Sequence, residues 1–278
     1  MNMRQKTVLQ GNDNRPIGVF DSGVGGLTVV KELIKQLPGE DIIYFGDTAR
    51  VPYGTKSRQA IIRFSIENAI FLLKHNVKLI VVACNTSSSV SLAALRRNFK
   101  VPILGVIHPG ALEATAATRN NRIGVIGTTA TITSNAYEKQ ILKIDTCFKV
   151  FSQSCPLFVS LAEEGWLDGK ITRDIARSYI APLNSRSIDT LILGCTHYPL
   201  LKKAIAKVTG KDIVLIDSAA SIARSAKMLL KKEGKLSKNQ RNARANFFVT
   251  DAPGHFKDIG EKFLGKELIN VRKTDYGI

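Results

Sequence analysis

The chain has 278 residues, of which 44% are hydrophobic and 23% charged, and its formal net charge at pH 7 is +17. This is the composition of a soluble globular protein with room for one large domain or two ordinary ones. No apolar stretch approaches the roughly 18 residues of a membrane-spanning helix, and four cysteines are too few for a disulfide framework in a chain of this size.

The first sixteen residues, MNMRQKTVLQGNDNRP, lack the apolar stretch of a secretory signal, and we expect residues 1–16 to form a flexible tail. Together with the few cysteines, this predicts a cytoplasmic protein without membrane contact.

From residue 17 onward, short apolar runs rich in β-branched residues alternate with segments of helical periodicity. Seven runs predict buried strands, at residues 17–20, 41–45, 78–83, 102–107, 123–127, 189–194 and 212–217. Two helical stripes stand out, formed in residues 26–37 by Leu27, Val30, Leu33, Ile34 and Leu37 and in residues 58–76 by Ile62, Ile66, Ile70 and Leu73. Strands alternating with helices predict an α/β fold with mostly parallel sheets.

Three sequence elements recur in the same order after roughly 110 residues. IGVFDSG at 17–23 resembles IGVIGTT at 123–129, LIVVACNT at 79–86 resembles LILGCTH at 191–197, and ILGVIHPG at 103–110 resembles IVLIDSAA at 213–220. One such match between apolar strands has little weight, but three in order indicate a duplication. We therefore predict two similar, pseudo-symmetric α/β domains with the active site in the cleft between them, beyond the carboxyl ends of the strands.

The repeat places Cys84 and Cys195 at equivalent strand ends near expected helix starts, where backbone N–H groups and the helix dipole favour a thiolate. Four uses remain open: a disulfide or redox pair, a metal site with His197, acyl transfer by a Cys–His pair with Glu163 or Asp217 orienting the histidine, and two-base proton transfer. No CxxC spacing supports the first two. Only proton transfer, with one sulfur at each face of a carbon, uses both cysteines symmetrically.

Polar residues at the other strand ends suit a site for a small anion. The glycine-rich stretch DSGVGGL at 21–27 can present N–H groups to an anion, although it fits no nucleotide-binding motif. Short hydroxyl and amide side chains that can bind a carboxylate or an ammonium group follow the strands: Ser22, Asn85, Thr86, Thr128, Thr129 and Thr196. By contrast, DTCFKVFSQSCP at 145–156, with Cys147 and Cys155, is typical of packing or loop.

Much of the positive charge lies late in the chain, in residues 224–246. A basic face attracts anions, from acidic substrates to nucleic acid. A solvated helix face is the simpler interpretation. A nucleic-acid-binding protein stays an alternative, and it would show binding that weakens steeply with salt.

Six segments in order resemble the glutamate racemase family from about residue 17 to residue 220: FDSGVGGLTV, DTARVPYG, ACNTSS, IGVIGTTATITSNAY, LAEEG and GCTHYPLL. The wider group of cofactor-independent amino-acid racemases, aspartate racemases included, shares the paired cysteines. The forms DSGVGG, PYG and GCTHYP favour the glutamate branch. An aspartate or other amino-acid racemase on the same scaffold stays the alternative.

The resemblance implies interconversion of L- and D-glutamate with neither pyridoxal phosphate nor a metal, supplying D-glutamate for bacterial peptidoglycan, in a protein that is commonly a homodimer. It implies that Cys84 acts on the α-proton of D-glutamate, assisted by Asp21. It implies that Cys195 acts on that of L-glutamate, assisted by Glu163 and His197. The implied substrate contacts are Asp21, Ser22, Pro52, Tyr53, Gly54, Asn85, Thr86, Thr128 and Thr196.

Domains of this family are discontinuous, which implies a first domain of residues 17–106 and 218–270 and a second of residues 107–217. The chain departs from the family at Ser87, where alanine is common, and residues 247–278 match only loosely.

Overall fold

A computed structural model describes residues 13–239 and 244–275, and within these ranges ten strands and twelve helices alternate. The strands are β1 (Ile17–Asp21), β2 (Ile42–Gly46), β3 (Leu79–Val82), β4 (Ile103–Gly105), β5 (Arg122–Gly127), β6 (Lys149–Ser154), β7 (Thr190–Gly194), β8 (Val214–Asp217), β9 (Ala245–Val249) and β10 (Val271–Lys273). The helices are α1 (Leu27–Gln36), α2 (Arg58–Lys74), α3 (Asn85–Val90), α4 (Leu92–Asn98), α5 (Ile107–Ala117), α6 (Thr129–Thr133), α7 (Ala136–Ile144), α8 (Leu157–Glu163), α9 (Lys170–Asn184), α10 (Lys202–Thr209), α11 (Ser218–Lys232) and α12 (Pro253–Leu264). Most of the expected N-terminal tail lies outside the described residues.

The strands form two sheets with parallel pairing. The first sheet has the order β10-β9-β2-β1-β3-β4 and the second the order β6-β5-β7-β8. In the second sheet, β5, β7 and β8 hold the places that β1, β3 and β4 hold in the first, and these are the three strand pairs that resemble each other in sequence. The prediction of two similar α/β halves with parallel sheets is confirmed.

Central strands read clearly in the sequence because helices cover both of their faces, and every residue of β1 and β3 is buried. The edge strand β6 is exposed or half-buried throughout. It therefore lacks a continuous apolar run and was not predicted, although Cys147 in the turn before it and Cys155 in the core after it agree with the interpretation of packing or loop. Strands β9 and β10 lie outside the predicted set as well. The strand predicted at residues 102–107 ends at Gly105, because Ile107 already belongs to α5.

The predicted stripe of α1 is largely correct, whereas that of α2 is wrong. Ile62, Ile66, Ile70 and Leu73 are only half-buried, and the fully buried positions are Ile61, Phe64, Ser65, Asn68, Ala69, Phe71 and Leu72. Two of these carry polar side chains, which hydrophobic periodicity does not count. Ser65 Oγ donates to the carbonyl of Ile61 at 2.7 Å, and Asn68 Nδ2 donates to the hydroxyl of Tyr53 at 3.1 Å.

In residues 13–239 and 244–275, no helix has both the length and the apolar character needed to cross a membrane.

One ion pair is enclosed at the amino ends of β2 and β3. Lys78, whose side chain is 0% exposed, places its Nζ 2.6 Å from Oε2 of Glu40. The ammonium also donates to the carbonyl of Lys235 at 2.8 Å, and Glu40 Oε1 accepts from the backbone N–H of Ser237 at 2.8 Å. The pair therefore fastens the chain that follows α11 to the base of the first sheet.

We expect Lys78→Met to lower the free energy of unfolding by about 3–5 kcal/mol, because the Glu40 carboxylate would stay buried without its counter-charge. Urea denaturation followed by circular dichroism measures this loss. The double variant Lys78→Met/Glu40→Gln should recover a large part of it, since no unpaired charge remains. The exposed Lys35, paired with Glu32 at 3.6 Å, provides the control, and Lys35→Met should change the free energy by less than about 1 kcal/mol. A double variant as unstable as Lys78→Met would contradict the explanation.

Candidate active site

The carboxyl ends of β1, β3, β5 and β7 meet between the two sheets, where they enclose a cavity of about 20 Å³. Its lining residues are Ser22, Val51, Pro52, Tyr53, Gly54, Cys84, Asn85, Thr86, Thr128, Val159, Cys195, Thr196 and His197. These include every residue that the family resemblance assigned to the site except Asp21 and Glu163. The volume is about that needed by a single water molecule, so the two walls are closed on each other.

Cys84 stands where β3 ends and caps the amino end of α3. Its sulfur accepts from the backbone N–H of Ser87 at 3.5 Å, and its thiol lies 3.7 Å from Oγ of Ser22. Burial, and next the negative charge of Asp21, raises the pKa of Cys84 to about 12. At neutral pH this residue is therefore a thiol that holds a proton it can donate. The hydroxyl of Ser87 is buried and has no hydrogen-bond partner in the described part of the chain.

Asp21, the last residue of β1, lies behind the cavity lining and is fully buried. Its Oδ2 accepts from the backbone N–H of Gly23 at 3.1 Å, and its Oδ1 accepts from the hydroxyl of Thr196 on the opposite wall at 3.4 Å. Burial raises the pKa of Asp21 against the opposing effect of His197. The approach of the walls depends on Gly25, since a Cβ there would lie 2.8 Å from Nδ1 of His197.

Cys195 follows β7 and is the first of three side chains that contact one another in series, Cys195, His197 and Glu163. Its sulfur lies 3.7 Å from Nδ1 of His197, and Nε2 of His197 lies 3.0 Å from Oε1 of Glu163. Burial alone would lower the pKa of His197, but the hydrogen bonds to Cys195 and Glu163 raise it to about 10. Burial would raise the pKa of Glu163, and the bond to His197 lowers it. His197 is therefore an imidazolium at neutral pH, and its positive charge lies beside the sulfur of Cys195.

The two sulfur atoms thus have opposite surroundings, with a carboxylate near Cys84 and an imidazolium near Cys195. Glu163, and not Asp217, orients His197, because the Asp217 carboxylate caps α11 by accepting from the backbone N–H of Ala219 at 2.9 Å. Such a site can remove a proton at one wall and donate one at the other.

Neutral hydrogen bonds join the walls. The hydroxyl of Thr86 lies 2.8 Å from that of Thr128 and 3.3 Å from that of Thr131. Oδ1 of Asn85 accepts from the hydroxyl of Tyr137 at 2.7 Å. Thr131 and Tyr137 were not predicted as site residues, although both lie in the segment IGVIGTTATITSNAY. Their roles depend on contacts with residues of the opposite wall. In the sequence, only their position in that segment indicated that they belong to the site.

Tyr53 in the PYG turn presents its ring to the cavity but bonds its hydroxyl elsewhere, to Oδ2 of Asp47 and to Nδ2 of Asn68. The next residue, Gly54, packs directly on the opposite wall, since a Cβ there would lie 2.6 Å from Cβ of Thr128. The apolar lining residues Val51 and Val159 were missed by the sequence reasoning, because a valine offers no chemical signal. Thr129 was expected among the lining polar groups but lies outside, with its hydroxyl 3.0 Å from that of Ser154.

The four cysteines are free: Cys147 is exposed, and Cys155 is buried with a pKa that burial raises. Within the described ranges, no group of three or more His, Cys, Asp or Glu side chains is arranged to hold a metal ion.

Comparison with known proteins gives one consistent family. The model of the family described as Asp/Glu/Hydantoin racemase matches residues 17–226. A glutamate racemase from Geobacter metallireducens is 50% identical over 257 residues, which cover 92% of this chain and 95% of the relative. Two solved structures are also similar. A glutamate racemase isoform from Bacillus anthracis has a TM-score of 0.92 at 43% identity, with 95% of this chain and 98% of that chain covered. A glutamate racemase from Francisella tularensis in complex with D-glutamate has a TM-score of 0.90 at 44% identity, with 95% and 99% covered.

We expect Glu163→Gln to lower the pKa of His197 from its value of about 10, because the carboxylate that stabilises the imidazolium is lost. Titration of ¹⁵N-histidine-labelled protein by NMR measures this, with the His197→Asn spectrum assigning the resonance. Glu164→Gln, which removes the neighbouring exposed carboxylate, should leave the titration unchanged. An unchanged midpoint in Glu163→Gln would contradict the assigned chain of groups.

The same shift predicts a pH dependence of stability. Since the pKa of His197 is raised from 6.5 to about 10, the stabilisation it gives is fully present below pH 6.5 and is lost as the pH rises through about 10. The difference in free energy of unfolding between the wild-type chain and Glu163→Gln should therefore be largest near pH 6 and shrink toward pH 10. Denaturation curves at a series of pH values measure it, and a difference that grows with pH would contradict the assignment.

Proposed function

The chain belongs to the Asp/Glu/hydantoin racemase family and, within it, to the glutamate racemases, and from this premise we propose that it interconverts L- and D-glutamate by two-base proton transfer between Cys84 and Cys195. The observation that supports the mechanism is the placement of two sulfur atoms of opposite electrostatic surroundings in one closed cavity. The choice of glutamate over aspartate is supported by the relatives, one of which was solved with D-glutamate.

With L-glutamate, the thiolate of Cys195 removes the α-proton and becomes a thiol. Cys84 donates its proton to the opposite face of the α-carbon and becomes a thiolate, so that D-glutamate forms with no net change in protons. The reverse reaction begins from that second state. We propose that His197 and Glu163 assist Cys195 and that Asp21 assists Cys84, which their contacts and burial support.

The proposed substrate contacts are Asp21, Ser22, Pro52, Tyr53, Gly54, Asn85, Thr86, Thr128 and Thr196. Among the described residues that line the cavity there is neither a lysine nor an arginine. Hydroxyl, amide and backbone N–H groups would therefore hold the substrate carboxylates, and donors directed at the α-carboxylate would stabilise the charge that develops when the α-proton leaves. The closed walls keep water from this charge.

On the basis of the family we also propose a cytoplasmic homodimer that supplies D-glutamate for peptidoglycan, and the four free cysteines are compatible with a reducing compartment. We propose a first domain of residues 17–106 and 218–270 and a second of residues 107–217. The composition of the two sheets supports this division, and since β10 pairs with β9 we extend the first domain to include it.

A nucleic-acid contact through residues 224–246 stays a prediction. In the part of this segment that the structure describes, Lys227, Lys231 and Lys232 are exposed at the end of α11. Arg224 is paired with Glu113 at 3.0 Å, and Arg244 lies 3.4 Å from Asp41. Exposed lysines on a helix also suit a solvated surface, and residues 240–243 lie outside the described ranges.

We expect the purified chain to exchange the α-proton of L-glutamate for deuterium in D₂O while the optical rotation falls to zero, with no added cofactor. Cys84→Ala and Cys195→Ala should each lower racemisation at least about a hundredfold, since each removes a general acid–base group. Proton NMR and polarimetry measure the two events. Cys147→Ala, which removes an exposed cysteine outside the cavity lining, is the control and should keep the full rate.

Retention of most of the rate in both cysteine variants would contradict the mechanism. Exchange with aspartate but not with glutamate would keep the mechanism and overturn the substrate.

A further inference from the structure

The side-chain amide of Asn85, at the cavity wall, has a hydrogen-bond partner for its oxygen but none for its nitrogen among the described residues. The residue is 2% exposed and lines the cavity. Its oxygen accepts from Tyr137, whereas its nitrogen Nδ2 has no hydrogen-bond partner among the described residues. A buried N–H group without a partner is unfavourable, and in a ligand-binding cavity the missing partner is the ligand.

Tyr137 is held by the opposite half of the molecule. It lies on α7, is 2% exposed, and packs in the core formed with Ile123, Val125 and Ile192 of the second sheet. Gly110 leaves room for it, because a Cβ there would lie 3.3 Å from the tyrosine ring. The phenol oxygen reaches Asn85 at the start of α3.

The phenol is a donor in this position. Burial raises the pKa of Tyr137, so that the group keeps its proton. The phenol donates this proton to Oδ1 of Asn85 at 2.7 Å. An amide oxygen accepts such a proton and an amide nitrogen does not, so the contact selects one of the two orientations of the amide.

We propose that Tyr137 is a positioning residue for substrate binding, which fixes the Asn85 amide with Nδ2 toward the cavity so that it donates to a carboxylate oxygen of the bound amino acid. This rests on the proposed function, since the ligand is taken to be glutamate. With the amide turned over, its oxygen would face the carboxylate and repel it. Because the two residues come from opposite walls, the donor is set only when the walls are closed.

The test compares Tyr137→Phe with the wild-type chain for kcat, KM and the calorimetric Kd of D-glutamate. We expect KM for both enantiomers and Kd to rise about threefold to tenfold, the range of one neutral hydrogen bond, with kcat within about twofold. In an Asn85→Ala background the same substitution should have no further effect, because the amide it orients is gone. Tyr198→Phe is the matched control. It removes a buried hydroxyl that donates to the Cys155 carbonyl at 2.7 Å, outside the cavity lining, and should leave KM unchanged.

Unchanged KM and Kd in Tyr137→Phe would overturn the proposal, as would an equal rise in the presence and absence of Asn85, or a loss of kcat alone. A lower melting temperature without a change in KM would reduce Tyr137 to a structural role. Failure of the proposed function would appear separately, as a wild-type chain that does not exchange the α-proton of glutamate, and the Kd comparison would then decide the role of Tyr137.

Discussion

Two thiols of the same chemical kind face one cavity, and the proposed reaction requires one of them to be ionised while the other keeps its proton. The surroundings provide this difference. Cys84 has a buried carboxylate near it, which opposes a second negative charge in a dry site. Cys195 has an imidazolium, whose own charge depends on Glu163. The two similar halves provide equivalent strand ends. The residues that differ between them, Asp21 on one side and Glu163 with His197 on the other, make these ends unequal.

The same constraint explains the packing between the halves. Charges in a site influence each other strongly only where water is excluded, so the walls must approach closely. Gly25 and Gly54 stand where any larger residue would meet Thr196, His197 or Thr128 of the opposite wall. The absence of lysine and arginine from the cavity lining belongs to the same arrangement, because a full positive charge beside both sulfur atoms would make their surroundings alike.

The sequence predicted what depends on local pattern. Fully buried strands, the repeat of three elements and the cysteines at its strand ends are all readable within a few residues. The strand β6, whose side chains are half exposed at a sheet edge, was missed, and prediction was wrong at α2, where Ser65 and Asn68 face inward through hydrogen bonds. It missed Val51, Val159, Thr131 and Tyr137, since their part in the site is created by contact between the two halves. The positions of Asp21 and Glu163 behind the lining could not be read from the chain for the same reason.

The closed cavity has a consequence for the entry of substrate and the release of product. A cavity of about 20 Å³ is too small for an amino acid. Binding of a substrate and release of a product therefore each require the two walls to separate and then to close again. The contacts that hold them at Thr86–Thr128 and Asn85–Tyr137 are neutral hydrogen bonds, each worth only about 0.5–1.5 kcal/mol. These two contacts therefore oppose separation of the walls less than a buried ion pair such as Lys78–Glu40 would, which suits walls that must separate in every turnover of the proposed reaction.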